Sequence, residues 1–108
     1  MLLCGDLNLN ASSLAVRIAR TLPGLRIAGD MKLGSTFGTM DNCFSLDNDE
    51  MTLDYILWDG GDGWSCTHSD VCRFKRILAG SEKFAIPCDD DGKVALSDHW
   101  GVSATFIL

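Results

Sequence analysis

The sequence has few prolines, few basic residues and no long apolar run, and each shortage narrows the possible functions. Two prolines in 108 residues leave no stiff proline-rich linker, so we expect one domain over residues 1–108. Nine Lys and Arg against fifteen Asp and Glu give a net charge of −6, which disfavours a general binder of nucleic-acid phosphates. No apolar run has the length of a membrane span, and the N-terminus lacks the basic start of a signal peptide.

The cysteine pattern argues against a disulfide framework and against a zinc site. The count is five, so at least one thiol stays unpaired, and no two cysteines have the C-x-x-C spacing of a zinc site. We therefore expect reduced, mostly buried thiols in a reducing compartment. The cysteines are Cys4, Cys43, Cys66, Cys72 and Cys88.

Hydrophobic spacing predicts one clear helix and four or five strands. Asn10 is a good N-cap for a helix in which Leu14, Ile18 and Leu22 recur every four residues, and Pro23-Gly24 ends it. Short apolar runs predict a buried first strand and a buried last strand, with others between them. The predicted strands are 2–4, 43–46, 53–58, one within 64–77, and 100–108, whereas 26–41 is predicted to be loop.

A polar tetrapeptide, Gly5-Asp6-Leu7-Asn8, follows the first predicted strand. On an extended strand end, residues i and i+2 point the same way, so Asp6 and Asn8 are expected to face one site. A carboxylate can take a proton or bind a hard cation, and an amide can contact a phosphate oxygen or a metal. Taken alone, the tetrapeptide is equally well explained as a strand end followed by a turn and a helix cap.

Two further segments carry an acid and a histidine. Asp54 stands within an apolar predicted strand, where a carboxylate is costly to bury without a partner. A histidine is the natural partner, because an imidazole can donate to a carboxylate and exchange protons near neutral pH, and His99, in Ser97-Asp98-His99, is the candidate. The structural alternatives are an edge strand that leaves Asp54 in water and a loop with a surface histidine.

The order of these segments resembles the endonuclease/exonuclease/phosphatase superfamily, and within it most closely the magnesium-dependent neutral sphingomyelinases. The resemblance covers the whole chain. It implies an α/β fold, the C-terminal part of a two-sheet, DNase-like β-sandwich flanked by helices, with the N-terminal half of that domain missing. The segments that carry it are Leu3-Cys4-Gly5-Asp6-Leu7-Asn8, Leu22-Pro23-Gly24-Leu25, Gly34-Ser35-Thr36, Asn42-Cys43-Phe44, Leu53-Asp54-Tyr55-Ile56-Leu57 and Leu96-Ser97-Asp98-His99.

The resemblance also implies roles for individual residues. His99 is expected to be the acid–base residue and a phosphate contact, and Asp54 to hold its ring in one tautomer. Asp6 and Asn8 are expected to position or activate the attacking water, and Asn8 to contact the phosphate. Asp98 is expected near Mg²⁺, with Asp6, Asn8 and His99 as further candidate ligands. The residue that takes the proton from water stays open.

The function implied is Mg²⁺-dependent hydrolysis of sphingomyelin or a related phospholipid to ceramide and phosphocholine. The principal Mg²⁺ ligand, a Glu, is expected in the missing half, so we expect little activity from this chain alone. An intracellular, membrane-associated setting is implied, with a membrane surface rather than nucleic acid as partner. The alternatives are a nuclease or other phosphoesterase of the same superfamily, and a non-catalytic truncated chain. One departure is Thr52, where many relatives have Arg.

Overall fold

The computed structural model describes residues 1–29, 32–45, 49–61, 63–82, 86 and 88–108. These residues hold seven strands and one helix, more strands than the four or five predicted. The additional strands β2, β5 and β6 are three residues each, too short for a period-two pattern to reveal them. The elements are β1 (Leu2–Asp6), α1 (Ala11–Thr21), β2 (Leu25–Ile27), β3 (Asp54–Asp59), β4 (Ser65–Cys72), β5 (Lys75–Ile77), β6 (Lys93–Ala95) and β7 (Gly101–Ile107).

The strands form three antiparallel sheets, so this is a small multi-sheet domain with one described helix. The first sheet has the order β1-β3-β2, the second pairs β4 with β7, and the third pairs β5 with β6. Because β3 lies between two neighbours, its apolar residues Tyr55, Leu57 and Trp58 are buried. The segment after β3 leads into the second sheet, and the ring of Trp58 meets that of Phe106 in β7 edge-on.

The predicted helix is confirmed. The Asn10 side chain accepts a hydrogen bond from the Ser13 backbone N–H, which satisfies one of the free donors at the helix N-terminus. Leu14 and Ile18 face inward and pack with Leu25 of β2 and Tyr55 of β3. This cluster covers one face of β2 and β3, and the register of β1 on β3 places the end of β1 beside the start of β3.

Three expectations about the strands do not hold. All five residues of β1 are exposed, Leu2 by 62%, and among the described residues β1 pairs with β3 alone, at the edge of its sheet. β7 alternates between half-buried and exposed residues instead of being buried. The predicted strand 43–46 is also absent from the described residues: Cys43 and Phe44 lie in a turn, and Leu46 lies outside the described part of the chain.

A second, smaller core forms where the second and third sheets meet the loop before β3. Trp100 is 2% exposed and packs with Val71 and Ala95, and its indole N–H donates to the Thr39 hydroxyl.

All five cysteines are free thiols, but Cys4 is exposed and the others are half-buried, so the expectation of mostly buried thiols is wrong. No helix in the described ranges has the length and apolarity needed to cross a membrane.

The chain is elongated and thin. Its radius of gyration is 16.3 Å, against about 13 Å for a compact domain of this length. The accessible surface is 6967 Å², against about 5,900 Å² from the scaling of folded monomers. Exposed apolar side chains account for part of this surface, among them Leu2, Leu3 and Trp64.

We predict that shortening Ile18 weakens the first core. Ile18→Val should lower the free energy of unfolding by about 0.5–1.5 kcal/mol, because it removes a buried methylene from the packing of α1 on β2 and β3. Val16→Ala is the matched control, since Val16 is on the same helix and 51% exposed. Urea unfolding measures both, and an equal loss in the two variants would contradict the packing described here.

Candidate active site

The site is built on a pair of carboxylates that face each other across two strands. The register of β1 and β3 places Asp6 directly opposite Asp54. Like charges in this arrangement repel each other. The imidazole of His99 meets both: Nδ1 lies 2.7 Å from Asp54 Oδ2, and Nε2 lies 4.0 Å from Asp6 Oδ2. The sequence-based expectation that His99 is the partner of Asp54 is confirmed.

His99 is held in this position by the backbone of the loop before β3. Phe37 forms isolated antiparallel bridges to both Met51 and His99, and its ring centroid lies 4.7 Å from that of the imidazole. The Trp100 N–H donates to the Thr36 carbonyl at 2.7 Å. The His99 N–H donates to the Ser97 hydroxyl at 3.1 Å, which turns the backbone just before the histidine.

Thr36 fixes Asp54 as well as the residue after His99. Its side chain is fully buried, and its hydroxyl oxygen accepts hydrogen bonds from the N–H groups of Leu53 and Asp54 at 3.0 and 3.2 Å. One residue therefore connects the start of β3 to the segment that carries His99. Thr36 is thus bonded to both segments that supply the acid–histidine pair, Asp54 and His99.

A glycine and an amide complete this support. Gly38 has a φ of 72°, and a Cβ there would overlap the Asp49 carbonyl oxygen, so only glycine lets the two backbones meet so closely. The Asn42 side chain donates to the Ser97 carbonyl at 2.9 Å. The loop residues 34–42 thereby contact the start of β3 and the Ser97–His99 segment together.

Asn8 reaches Asp6 by a different geometry from the one expected. β1 ends at Asp6, and Asn8 has a φ of 50°, so the two residues do not share an extended strand and the i, i+2 argument is wrong. Asn is one of the residues that tolerate this left-handed conformation. The Asn8 backbone N–H donates to Asp6 Oδ1 at 2.9 Å, which orients the carboxylate while Oδ2 faces His99.

Asp98 is exposed and lies beside the pair formed by Asp54 and His99, not between the two side chains. Its Oδ1 accepts a hydrogen bond from the Ser97 hydroxyl at 3.2 Å. Within the described ranges, no group of three or more His, Cys, Asp or Glu side chains is arranged to hold a metal ion. Asp6 and Asp98 provide oxygen ligands of the kind that Mg²⁺ prefers, but the described residues do not complete a magnesium site.

The three carboxylates around His99 control its protonation. Burial by itself would lower the pKa of His99, but the hydrogen bond and charge of Asp54, followed by the charges of Asp98 and Asp6, outweigh burial and raise this pKa above the ordinary 6.5. The His99 and Asp54 side chains are 23% and 21% exposed, so water screens their attraction only in part. An imidazole so placed can accept a proton near neutral pH.

Sequence reasoning missed the residues that position this pair. Thr36, Phe37 and Asn42 lie in the segment predicted to be a loop or next to it, and no periodicity marks them. Thr52 also acts here, because its hydroxyl donates to the Gly34 carbonyl at 3.0 Å, the contact made at the position where the resembled family often has Arg. The available signal was the resemblance itself, which includes Gly34-Ser35-Thr36 and Asn42-Cys43-Phe44.

Comparison of the chain with protein-family models, with curated proteins and with solved structures finds no match. The geometry of the site and the order of its segments along the chain therefore carry the functional argument.

We predict that Asp54→Asn lowers the pKa of His99. Because the folded-state pKa of His99 exceeds the ordinary 6.5, protonated His99 stabilises the fold fully below that value, and the contribution is lost as pH rises through the raised pKa. The stability difference between the unmodified chain and Asp54→Asn should thus be largest near pH 6 and shrink toward pH 9.

Nuclear magnetic resonance of the imidazole protons measures the pKa, and urea unfolding at several pH values measures the stability difference. Asp91→Asn is the control, since Asp91 is exposed in the turn before β6. A His99 pKa at or below 6.5 in the unmodified chain, or one unchanged by Asp54→Asn, would contradict the pairing.

We predict that the hydroxyl of Thr36, and not merely its bulk, holds Asp54 in position to bind His99. Thr36→Val leaves the Leu53 and Asp54 N–H groups unpaired, so it should destabilise the chain by about 1–3 kcal/mol and move the pKa of His99 toward its ordinary value. Thr36→Ser keeps the acceptor and should retain the raised pKa. An equal His99 pKa in the two variants would show that Thr36 acts through packing alone.

Proposed function

We propose that this chain carries part of the active site of a Mg²⁺-dependent phosphodiesterase of the neutral sphingomyelinase type, which converts sphingomyelin to ceramide and phosphocholine. The observation that carries the proposal is the 2.7 Å contact of His99 Nδ1 with Asp54 Oδ2, with the Asp6 carboxylate 4.0 Å from Nε2. These residues come from three segments whose order along the chain is the order in which the resembled family places its site.

The hydrogen bond to Asp54 assigns different tasks to the two ring nitrogens. With Nδ1–H donating to the carboxylate, Nε2 of a neutral His99 is left as the acceptor, because a neutral imidazole has one donor and one acceptor. Asp54 stabilises the imidazolium that forms when Nε2 takes a proton. In the proposal Asp54 is thus a positioning residue, and His99 is the residue that exchanges protons with the reacting groups.

In the proposal, the reacting group binds between Nε2 of His99 and the carboxylate of Asp6. A separation of 4.0 Å is too long for a direct hydrogen bond, so both atoms can contact a third polar group. In the proposal this group is the attacking water or a phosphate oxygen. The Asn8 backbone N–H donates a hydrogen bond to Asp6 Oδ1. In the proposal, the side-chain amide of Asn8 contacts the phosphate.

When bound, Mg²⁺ would neutralise the charge of the phosphate and of the leaving oxygen. Asp98 and Asp6 would contribute oxygen ligands, with Asn8 and His99 as the further candidates. A glutamate from another part of the domain would complete the set in this proposal. The proton-transfer role of His99 follows from its contact with Asp54.

A further part of the proposal is that an additional half of the domain covers the exposed side of the first sheet and completes a DNase-like sandwich. Three observations support it. In the described part of the chain, β1 pairs with β3 alone and its five residues are exposed, and strand edges of this kind pair readily with another strand. The accessible surface exceeds that expected of a folded chain this size, and the shape is thin, 18 Å across its shortest axis.

Sphingomyelin is preferred to nucleic acid as the substrate, because the three basic residues in and next to β5 already form ion pairs with carboxylates of this chain. Arg73 pairs with Asp41, Lys75 with Asp89 and Arg76 with Glu82. Paired cations contribute little to a phosphate-backbone surface.

Association with a membrane surface is part of the proposal, since sphingomyelin is a membrane lipid, and Leu2 and Trp64 are exposed beside an apolar recess of about 350 Å³.

We predict Mg²⁺-dependent release of phosphocholine from sphingomyelin vesicles, slow and detectable at high protein concentration. His99→Ala should lower the rate about 10²- to 10⁴-fold, the usual contribution of a general acid–base. Asp54→Asn should lower it less, by about tenfold or more. Mass spectrometry of phosphocholine measures all three rates, and Asp91→Asn, with the same change of charge at an exposed turn, should match the unmodified chain.

The proposal fails if His99→Ala releases phosphocholine as fast as the unmodified chain, or if no variant releases any. Cleavage of plasmid DNA in place of sphingomyelin, equally dependent on His99, would favour a nuclease of the same superfamily. Adding a chain that supplies the preceding half of the domain should increase the rate. An equal rate with and without it would show that the visible residues suffice.

A further inference from the structure

A cavity separate from His99 and Asp54 lies between β2 and β4. Its volume is about 460 Å³, enough for a phosphate or a small phosphate ester. One wall is formed by Arg26 of β2 and Trp58 of β3, and the other by β4. Among the described residues that line it there is no Asp or Glu, although the chain has fifteen acidic residues. The described part of the cavity lining is therefore polar and carries one cationic side chain, Arg26, on a protein of net charge −6.

Arg26 is held in place without being neutralised. Its guanidinium carbon lies 5.7 Å from the centroid of the Trp58 ring, which is cation–π distance. Gly60 leaves room for the side chain, since a Cβ there would come 2.6 Å from Arg26 Nε. Within the described ranges Arg26 forms no ion pair with a carboxylate. Among those residues no carboxylate competes with a ligand for its N–H donors.

The opposite wall of the cavity offers hydroxyl groups. The register of β4 shifts between Cys66 and His68, so Thr67 is an extra residue at a bulge that lines the cavity. Ser65 and Ser69 also line it, and among the described residues their hydroxyls bond to no other protein group. Gly29, with a φ of 80°, admits the Ser69 hydroxyl where a Cβ would overlap it.

We propose that this cavity binds a phosphate dianion, free or as a monoester. A planar guanidinium donates in parallel to two oxygens of a phosphate, and charge-assisted bonds of this kind are about twice as strong as neutral ones. The serine hydroxyls of β4 supply donors to the remaining oxygens. The site shares no residue with the Asp6, Asp54 and His99 group, so it stands or falls independently of the proposed function.

Titration of the ¹⁵N-labelled chain with inorganic phosphate tests the site, with amide shifts as the readout. We expect saturable shifts at residues 65–69 and at Arg26. Arg26→Gln should weaken binding at least tenfold, whereas Arg17→Gln, the same change of charge on the exposed face of α1, should leave it within twofold. Vesicles of phosphatidylcholine with and without phosphatidic acid form a second arm, which distinguishes a lipid-borne monoester from the free anion.

Ser69→Ala provides a second variant that does not involve the packing of Arg26 on Trp58. It removes one donor and, because Ser69 is half-buried against Gly29, introduces no overlap. We expect binding weakened about threefold with the spectrum otherwise unchanged. Absence of saturable binding in both arms would overturn the proposal, as would equal affinities of the unmodified chain and a folded Arg26→Gln variant.

Discussion

Two carboxylates stand directly opposite each other where β1 ends and β3 begins, and the imidazole of His99 compensates the repulsion between them. Without His99 the register that pairs Asp6 with Asp54 would carry an electrostatic cost, because like charges across a strand pair destabilise it. The same contact raises the pKa of the histidine. Strand register and the chemistry of the site are therefore two consequences of one arrangement of charges.

This arrangement depends on a segment that has no regular secondary structure. Thr36 binds the start of β3 through its hydroxyl and binds Trp100 through its carbonyl, and Asn42 binds the Ser97 carbonyl. Such contacts cost conformational entropy, which the buried side chains of Thr36 and Trp100 offset by packing. In many proteins a rigid scaffold positions loops that carry functional residues, and here the Ser97–His99 segment lies against β3 in this way.

Sequence reasoning succeeded where a local physical rule applied. The N-cap at Asn10 and the four-residue spacing of Leu14 and Ile18 predicted α1, and a carboxylate in an apolar strand predicted a partner for Asp54. It failed where the answer depends on distant parts of the chain. β1 has the apolar residues of a buried strand and yet lies exposed at an edge, and the three-residue strands exist only because a partner strand pairs with them. Nothing local distinguishes Thr36 from any other loop threonine.

The central claim is that the group formed by Asp6, Asp54 and His99 directs water onto a phosphodiester. Hydrolysis of sphingomyelin vesicles in ¹⁸O-enriched water at high protein concentration tests it most directly, because the label records which bond is broken. Attack at phosphorus predicts one ¹⁸O atom in the phosphocholine released and none in the ceramide. Label in the ceramide, or unlabelled phosphocholine, would contradict the account.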